Sequence, residues 1–488
     1  MSLRKQAFSG IKWTTTASIV NSFVQLIQLA ILTRLLEPTD FGLMALVMVV
    51  IGFSEMFIDM GLSNAIIYKQ NINNEQLSSL YWLNIIIGIF FYIILIIISP
   101  YISILYDNQS LKALINLVAI TFLIKPWGQQ FMVLLQKNLK FNAISITDII
   151  SRLISFVVVI VLAFNNFGVY SLAIGSIIAA VFSTIGYNFY GRNLYKPKLY
   201  LKIGHLNQFL SFGLYQMGEK LISYFSTQFD TILIGKLLGV EILGLYNVAK
   251  NLVSKPSSII NPVVTKVAFP LMSKLSDNIS QLKSVFLTTM RYLSFANFPV
   301  YFLIIILARP IIITLFGNDW IEVTPIVQIL SLTYLLRSVG NPSGSLLLSR
   351  GKANVAFYWN LTLFVFYPIS IFIGSYWGIT GIAWGTLVLQ VLLLYPNWKY
   401  IVYNTCNADF TEYFGVLSSP LIISSLSLIF PYLSLKYIDN NILALLLGGV
   451  GFIIVFILLI RILLPNTYKE INNIIFNTIK FGEKQRNI

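Results

Sequence analysis

The chain is poor in the residues that build disulfides, metal centres and nucleophilic catalytic sites. It contains one cysteine, Cys406, and one histidine, His205, among 488 residues. A single cysteine permits no internal disulfide, and a lone histidine in a basic loop supports neither a metal site nor a catalytic triad. We therefore expect no metal site and no catalytic residues.

Charged residues are scarce as well. They make up 10% of the chain, whereas 57% of the residues are hydrophobic and the mean hydropathy is +0.79. An average soluble domain has about 25% charged residues, so this composition excludes a soluble core and indicates an integral membrane protein. Several apolar runs approach the length of about 20 residues that crosses the hydrocarbon core.

Long polar segments are also missing, which excludes a membrane protein with a large soluble domain. Cutting the sequence at charges and at Pro, Gly and Asn clusters predicts an all-α protein with about 14 transmembrane helices. Their centres lie near residues 23, 54, 89, 124, 154, 179, 221, 255, 298, 336, 364, 389, 424 and 452. The loops between them have no room for a soluble catalytic or ATP-binding domain, and no phosphate-binding P-loop string occurs.

The basic residues are distributed unevenly between the predicted loops. With the N-terminus inside, twenty lysines and arginines lie on the cytoplasmic side and five on the outer side. The positive-inside bias therefore predicts that both termini are cytoplasmic. Basic loops facing anionic lipid also account for the net charge of +15, which does not indicate a nucleic-acid partner.

The sequence contains an internal repeat. Residues 34–43, RLLEPTDFGL, resemble residues 236–245, KLLGVEILGL, and the offset is 236 − 34 = 202. Two further pairs, residues 135–142 with 347–354 and residues 168–175 with 378–385, have offsets of 212 and 210. Each copy holds six predicted spans, so both enter the membrane in the same direction. This predicts a parallel repeat with a substrate cavity between the copies.

The repeat predicts four segments along the chain. They are an N-terminal six-helix bundle (1–190), a cytoplasmic linker (191–208), a C-terminal six-helix bundle (209–402), and two additional transmembrane helices with a cytoplasmic tail (403–488).

Thirteen charged residues remain within or near the predicted spans. The bases are Lys125, Arg152, Lys220, Lys250, Lys255, Lys266, Arg291 and Arg337, and the acids are Glu55, Asp59, Asp148, Glu219 and Asp230. At roughly 2.5 to 3.5 kcal/mol each, thirteen charges facing lipid would cost on the order of 40 kcal/mol. They must therefore face a wet cavity or each other.

Helical spacing groups these residues with neutral polar ones. In span seven, Glu219 and Asp230 share one face, and span one carries Asn21, Gln25 and Gln28 on a comparable stripe. Acids in the second span oppose bases in the eighth. This pattern fits either a salt bridge between the bundles or an anion site, and the small polar residues fit helix packing equally well.

Two stretches resemble a known family. Residues 33–67, TRLLEPTDFGLMALVMVVIGFSEMFIDMGLSNAII, resemble the N-terminal signature of the polysaccharide and lipid-linked oligosaccharide flippases. These Wzx-type proteins belong to the multidrug, oligosaccharidyl-lipid and polysaccharide exporter superfamily. Residues 229–278, FDTILIGKLLGVEILGLYNVAKNLVSKPSSIINPVVTKVAFPLMSKLSDN, are similar to the second-half signature, particularly in the colanic and teichuronic acid exporter branch.

The resemblance implies a fold and a function. The fold would be two six-helix bundles in a V around a central cavity, followed by two helices. The function would be alternating access that moves an undecaprenyl-pyrophosphate-linked oligosaccharide across the bacterial cytoplasmic membrane. The product would supply capsule, O-antigen or exopolysaccharide synthesis, with polysaccharide polymerase and chain-length machinery as partners.

Candidate site residues follow from the embedded polar set and this substrate. Those expected to bind pyrophosphate or glycan are Lys250, Lys255, Lys220, Arg291, Arg337, Asn21, Gln25 and Gln28. Those expected to serve ion coupling or gating are Glu55, Asp59, Glu219 and Asp230. No cofactor is expected besides a coupling proton or sodium ion.

Two alternatives belong to other classes. A drug/cation antiporter of the same superfamily would favour an acidic cavity, whereas this chain embeds eight bases against five acids. A membrane polymerase or glycosyltransferase would need a sizeable external loop, and the external segments near Asp107 and Asp319 are short.

Overall fold

The chain folds into two compact helical units. The computed structural model describes residues 3–59, 63, 66–67, 72–202 and 207–470, with their side chains except those of residues 3–8, 11, 58–59 and 207–220. The first unit comprises Met1–Lys255 with Ala353–Leu389, and the second comprises Pro256–Lys352 with Gln390–Ile488. These units do not follow the segment boundaries predicted at residues 190, 208 and 402. The division into two six-helix bundles, a linker and two additional helices therefore stays a prediction.

The described residues are almost entirely helical. In chain order the helices are α1 (Leu3–Leu32), α2 (Pro38–Asp59), α3 (Asn74–Leu105), α4 (Ser110–Ala119), α5 (Thr121–Ile124), α6 (Pro126–Lys137), α7 (Phe141–Phe164), α8 (Val169–Gly191), α9 (Asn207–Leu237), α10 (Val240–Lys274), α11 (Ile279–Ile306), α12 (Ala308–Leu315), α13 (Thr324–Gly340), α14 (Pro342–Ser349), α15 (Ala353–Ser375), α16 (Gly378–Pro396), α17 (Asn404–Cys406), α18 (Phe410–Leu426), α19 (Ile429–Tyr437) and α20 (Asn441–Leu463). A 3₁₀ helix (Asn318–Val323) precedes α13, and a π-helical turn (Asn397–Tyr403) follows α16.

The predicted all-helical membrane fold is confirmed. In the described part of the chain, 11 helices are long and apolar enough to cross a membrane, or 12 if the bent pair Ser110–Ile124 and Pro126–Lys137 is one span. Helices α9 and α10, of 31 and 35 residues, are not among them, and they carry many of the embedded charges. Every predicted centre lies in a helix. The total of fourteen crossings stays a prediction.

Helix α7 occupies a central position in the first unit, where it packs against α1 and α8. A Cβ atom at Gly175 would lie 2.1 Å from a methyl carbon of Val159, so only glycine allows α8 this close to α7. The Ser155 hydroxyl donates to the carbonyl of Gly175 at 2.7 Å. Small residues and a hydroxyl therefore join the two helices, as is usual between helices in a membrane.

The described part of the predicted linker is attached to the start of α3. The hydroxyls of Tyr195 and Ser78 are 2.7 Å apart and buried, and the backbone N–H of Lys202 donates to Ser79 at 3.1 Å. The Trp82 indole donates to the carbonyl of Lys198 at 2.8 Å. Residues 195–202 therefore belong structurally to the first unit.

The second unit is organised around α11, which packs against α13 and α18. Its core includes Phe298 and Tyr301, which are buried. The Asn297 amide donates to the side-chain oxygen of Asn261 at 3.0 Å, which joins α11 to the second half of α10. Helices α19 and α20 pack against each other.

The two copies of the ten-residue repeat contact each other reciprocally in the first unit. Helices α2 and α10 begin at Pro38 and Val240, which are 240 − 38 = 202 residues apart. A Cβ atom at Gly42 would lie 1.9 Å from the carbonyl oxygen of Val240. One at Gly244, the equivalent position, would lie 1.7 Å from the carbonyl oxygen of Pro38. The start of each helix therefore rests on the glycine of the other, as in an isologous contact.

We predict that either glycine of this crossing is intolerant of a methyl group. Gly42→Ala and Gly244→Ala should each destabilise the protein by about 3 kcal/mol, because backbone atoms on both sides leave no room to adjust. The loss should appear as a lower midpoint in thermal unfolding of the purified protein, followed by tryptophan fluorescence.

The matched control is Gly344→Ala in α14, where nothing lies within 4 Å of the added carbon. That variant should unfold at or above the parent midpoint, because alanine favours helix. Equal midpoints for all three variants would contradict the close crossing.

Candidate functional site

The first unit contains a polar cavity of about 510 Å³. Five helices, α1, α2, α7, α9 and α10, supply its polar lining and most of its apolar wall. The polar lining residues are Gln25, Gln28, Arg152, Tyr224, Gln228, Thr231, Asn247, Lys250, Asn251, Ser254 and Lys255. We refer to this space as the unit-1 cavity.

Helical periodicity explains why these residues meet. Gln25 and Gln28 are three residues apart on α1, and Asn247, Asn251 and Ser254 follow at intervals of four and three on α10. Such spacings place side chains on one face of a helix. Each helix therefore turns a polar stripe towards the cavity and its apolar residues elsewhere.

The best-defined ion pair beside the cavity joins α9 to α10. The Lys250 ammonium lies 2.7 Å from one carboxylate oxygen of Asp230 and 2.8 Å from the other. It also donates to the carbonyl of Thr227 at 3.3 Å, and the Tyr246 hydroxyl donates to Asp230 at 3.1 Å. The pair is largely buried, with 20% and 15% of the two side chains exposed. Removing one partner alone would leave the other charge uncompensated.

Two further cations face the same space. The Lys255 ammonium donates to the side-chain oxygen of Gln25 at 2.5 Å, which links α10 to α1. Arg152, on α7, is close enough to Lys255 for the two positive charges to repel each other. Its buried Nε has no hydrogen-bond partner among the described residues. Arg152 therefore lines the cavity with a guanidinium whose Nε has no acceptor among the described residues.

The electrostatic balance of the unit-1 cavity is positive. Among the described residues that line or contact it, Arg152, Lys250 and Lys255 are basic and Asp230 is acidic. Three cations against one carboxylate leave a surplus of two positive charges. In a low-dielectric surrounding, such a surplus favours an anion.

A second polar cavity, of about 290 Å³, lies among α2, α6 and α8. Glu55 and Lys125 form a salt bridge on its wall. Tyr187 also lines it and donates its hydroxyl to Asp148 of α7. Glu55 is therefore paired with a base of its own sequence half and not with a base of the eighth span, whereas the side chain of Asp59, the other acid of the second span, lies outside the described residues.

The structure brings together part of the predicted site. Gln25, Gln28, Lys250 and Lys255 line the unit-1 cavity. Asn21 is on α1 but does not line it, and the side-chain oxygen of Asn21 is buried with no hydrogen-bond partner in the described part of the chain.

The other predicted residues lie elsewhere or cannot be placed. Arg291 lines a separate cavity in the second unit. Arg337, also in the second unit, lies over the ring of Tyr334 at 5.4 Å. The side chains of Asp59, Glu219 and Lys220 lie outside the described residues. Whether any predicted residue binds substrate stays a prediction.

Sequence reasoning missed Arg152 and the amides of α9 and α10 as cavity residues. Arg152 stood out only as one of thirteen embedded charges, because the repeat gave no reason to bring α7 beside α10. Its sequence signal was an arginine in a predicted span, one helical turn after Asp148. Gln228, Asn247 and Asn251 each lie three residues before another lining residue, Thr231, Lys250 and Ser254 respectively, so helical spacing is the signal that could have found them.

Most of the chain is similar to known proteins of one family. Residues 31–325 match the model of the family described as polysaccharide biosynthesis protein. The teichuronic acid biosynthesis protein TuaB of Bacillus subtilis (strain 168) is 32% identical, over 87% of this chain and 88% of that protein. The lipopolysaccharide biosynthesis protein WzxC of Escherichia coli (strain K12) is 29% identical, over 88% of each chain.

The fold resembles that of a solved transporter. The lipid II flippase MurJ in its inward closed conformation superimposes with a TM-score of 0.75, at 16% identity, over 93% of this chain and 99% of that one. At this identity the likeness concerns the fold. Together with the family match and the relatives, it confirms the resemblance drawn from the sequence: the chain belongs to the polysaccharide biosynthesis protein family of multi-pass membrane proteins.

Proposed function

We propose that this protein is a flippase that moves a lipid-linked oligosaccharide across the bacterial cytoplasmic membrane for surface polysaccharide synthesis. The substrate class is an undecaprenyl-pyrophosphate-linked repeat unit, and the transport mode is alternating access. The observation that carries the proposal is the surplus of positive charge in the unit-1 cavity, within helices of a membrane protein.

The diphosphate is the part of the substrate that fits the cations. A diphosphate diester carries one negative charge on each phosphorus, so two positive charges in excess match it. An arginine guanidinium binds phosphate oxygens through a fixed fork of N–H donors, and a lysine acts as a point charge. Arg152 and Lys255 would supply both types of contact at one place, and binding an anion would relieve their mutual repulsion.

The glycan fits the neutral lining. Asn247, Asn251, Gln28 and Gln228 offer amide donors and acceptors, and Tyr224 offers an aromatic ring beside them. Amides can hydrogen-bond sugar hydroxyls in many orientations, which suits a carrier that must release its cargo. Flipping breaks no covalent bond, so we propose that the protein is not an enzyme.

The cation surplus argues against the antiporter alternative. A carrier of cationic drugs needs unpaired carboxylates in its cavity. Among the described residues, Asp230 is the acid that contacts the unit-1 cavity, and it forms a salt bridge with Lys250. We therefore retain the anionic lipid as the substrate class.

Net transport against a gradient requires a driving force, and we propose coupling to a proton or a sodium ion. Asp230 is suited to this role because its carboxylate holds Lys250, so binding a proton or sodium ion would release the lysine towards the cavity. Glu55, Asp59 and Glu219 remain proposed members of the same set. We further propose that both termini are cytoplasmic and that the polysaccharide polymerase and chain-length machinery are partners.

We predict that removing the positive charge of Arg152 or of Lys255 from the unit-1 cavity impairs transport without preventing folding. Arg152→Gln and Lys255→Gln should each lower transport at least tenfold, because a hydrogen bond to a charged group is worth about 1.5 to 3 kcal/mol. The measurement is complementation of a deletion strain, with the lipid-linked glycan in the cytoplasmic leaflet quantified alongside surface polysaccharide.

Lys112→Gln is the matched control, since this lysine is exposed at the start of α4 and lines none of the cavities described here. It should complement fully. Full complementation by both cavity variants, at normal expression, would remove the assigned site. Unchanged surface polysaccharide in the deletion strain would contradict the proposed function itself.

We predict that Asp230→Asn uncouples transport from the ion gradient. In sealed vesicles the variant should bind substrate but show no acceleration when a proton or sodium gradient is imposed, whereas the parent should accelerate. An Asp59→Asn variant tested in parallel separates the two acids. If both variants respond to the gradients as the parent does, coupling through these carboxylates is wrong.

A further inference from the structure

The second unit has its own polar cavity, of about 420 Å³. It lies between α11, α18 and the residues that follow α20. Its lining residues are Leu287, Arg291, Phe295, Thr411, Glu412, Gly415, Val416, Ser419, Leu464 and Thr467. We call it the Arg291 cavity.

Arg291 is the cation of this cavity that is not compensated. Its side chain is exposed and forms no ion pair or hydrogen bond with any described residue. The carboxylate of the same cavity, Glu412, is already engaged, because both its oxygens lie within 3.0 Å of the Lys283 ammonium. Glu412 also accepts from the backbone N–H of Asp409 at 2.9 Å. Among the residues that line the cavity, Arg291 therefore has no carboxylate left to pair with.

The position of Arg291 makes this charge costly without a partner. It lies on α11, seven residues before the predicted centre of this span near residue 298, which corresponds to about 10 Å along the helix. A cation at such a depth requires a counter-ion or a path to water. Lys125 and Lys250 differ from Arg291 in this respect, because each is paired with a carboxylate of the chain.

The remaining walls fit a lipid. Thr411, Ser419 and Thr467 place hydroxyl donors around the cavity, suited to phosphate oxygens. One helical turn to either side of Arg291, Leu287 and Phe295 provide an apolar surface. Phe295 also belongs to a buried apolar cluster with Ile423 and Ile460. The cavity thus places a cation and hydroxyl donors beside an apolar surface. This arrangement is complementary to the anionic phosphate and the acyl chains of a phospholipid.

We propose that the Arg291 cavity binds the phosphate headgroup of an anionic glycerophospholipid from the leaflet on the predicted cytoplasmic side. The phosphodiester supplies the counter-ion of Arg291, the three hydroxyls bind its oxygens, and an acyl chain lies along Leu287, Val416 and Phe295. The lipid thereby fastens α18 and α20, which lie outside the sequence repeat, to α11. This site is separate from the unit-1 cavity, and the proposal does not depend on the proposed function.

The test is native mass spectrometry of the purified full chain titrated with single lipids. The parent should retain phosphatidylglycerol at least tenfold more tightly than phosphatidylethanolamine, which is neutral overall. Arg291→Gln should lose this preference, and Arg291→Lys should keep most of it because the charge remains. Arg309→Gln, at an exposed arginine of α12 outside the cavity, is the matched control and should behave as the parent.

Two competitors identify the source of the phosphate. Inorganic phosphate and a polyprenyl diphosphate should each fail to displace the bound phosphatidylglycerol. Displacement by inorganic phosphate would reduce the site to a free-anion site, and displacement by the polyprenyl diphosphate would assign it to the transported substrate. Either result overturns the proposal, as does an unchanged preference in a monodisperse Arg291→Gln variant.

Discussion

The cost of placing charge within a membrane is the constraint on which this structure depends. A charged side chain in the hydrocarbon needs a partner, water or a ligand. The chain meets this requirement by pairing Lys125 with Glu55 and Lys250 with Asp230. Arg152, whose Nε has no partner among the described residues, faces the unit-1 cavity instead. Embedded charges without a protein partner thus mark the places where an external anion is needed.

The same constraint explains the unusual composition of α9 and α10. Both are long enough to cross a membrane but carry more polar and charged residues than the other spans. A helix of this kind is stable in lipid only where its polar stripe faces a cavity and its apolar face packs on neighbours. The reciprocal contact of Gly42 with Val240 and of Gly244 with Pro38 brings α2 and α10 close at their starts. The polar stripe of α10 can then face α1 and α7 further along.

The sequence predicted the helices well because their signal is local. Apolar runs, breaks and spacing placed every span centre inside a helix. Four of the candidate site residues taken from the embedded polar set, Gln25, Gln28, Lys250 and Lys255, line one cavity. Arg152 and Arg291 show the limit. Both are arginines in predicted spans. Which cavity each of them lines depends on the packing of helices that are distant in sequence, and the sequence pattern does not show this packing. Likewise, helical periodicity gives no distances between helices, so it could not predict the salt-bridge partners of Glu55 and Asp230.

Recognition of a diphosphate by the unit-1 cavity, within the membrane, is the central step of the proposed function. Its most direct test is the affinity of the purified protein in lipid nanodiscs for three ligands with the same polyprenyl chain and sugar, joined by a diphosphate, by a monophosphate or by no phosphate. We expect the affinity to fall with each phosphate removed, by at least tenfold between the diphosphate and the neutral glycoside. Equal affinity for all three ligands would contradict diphosphate recognition by this cavity.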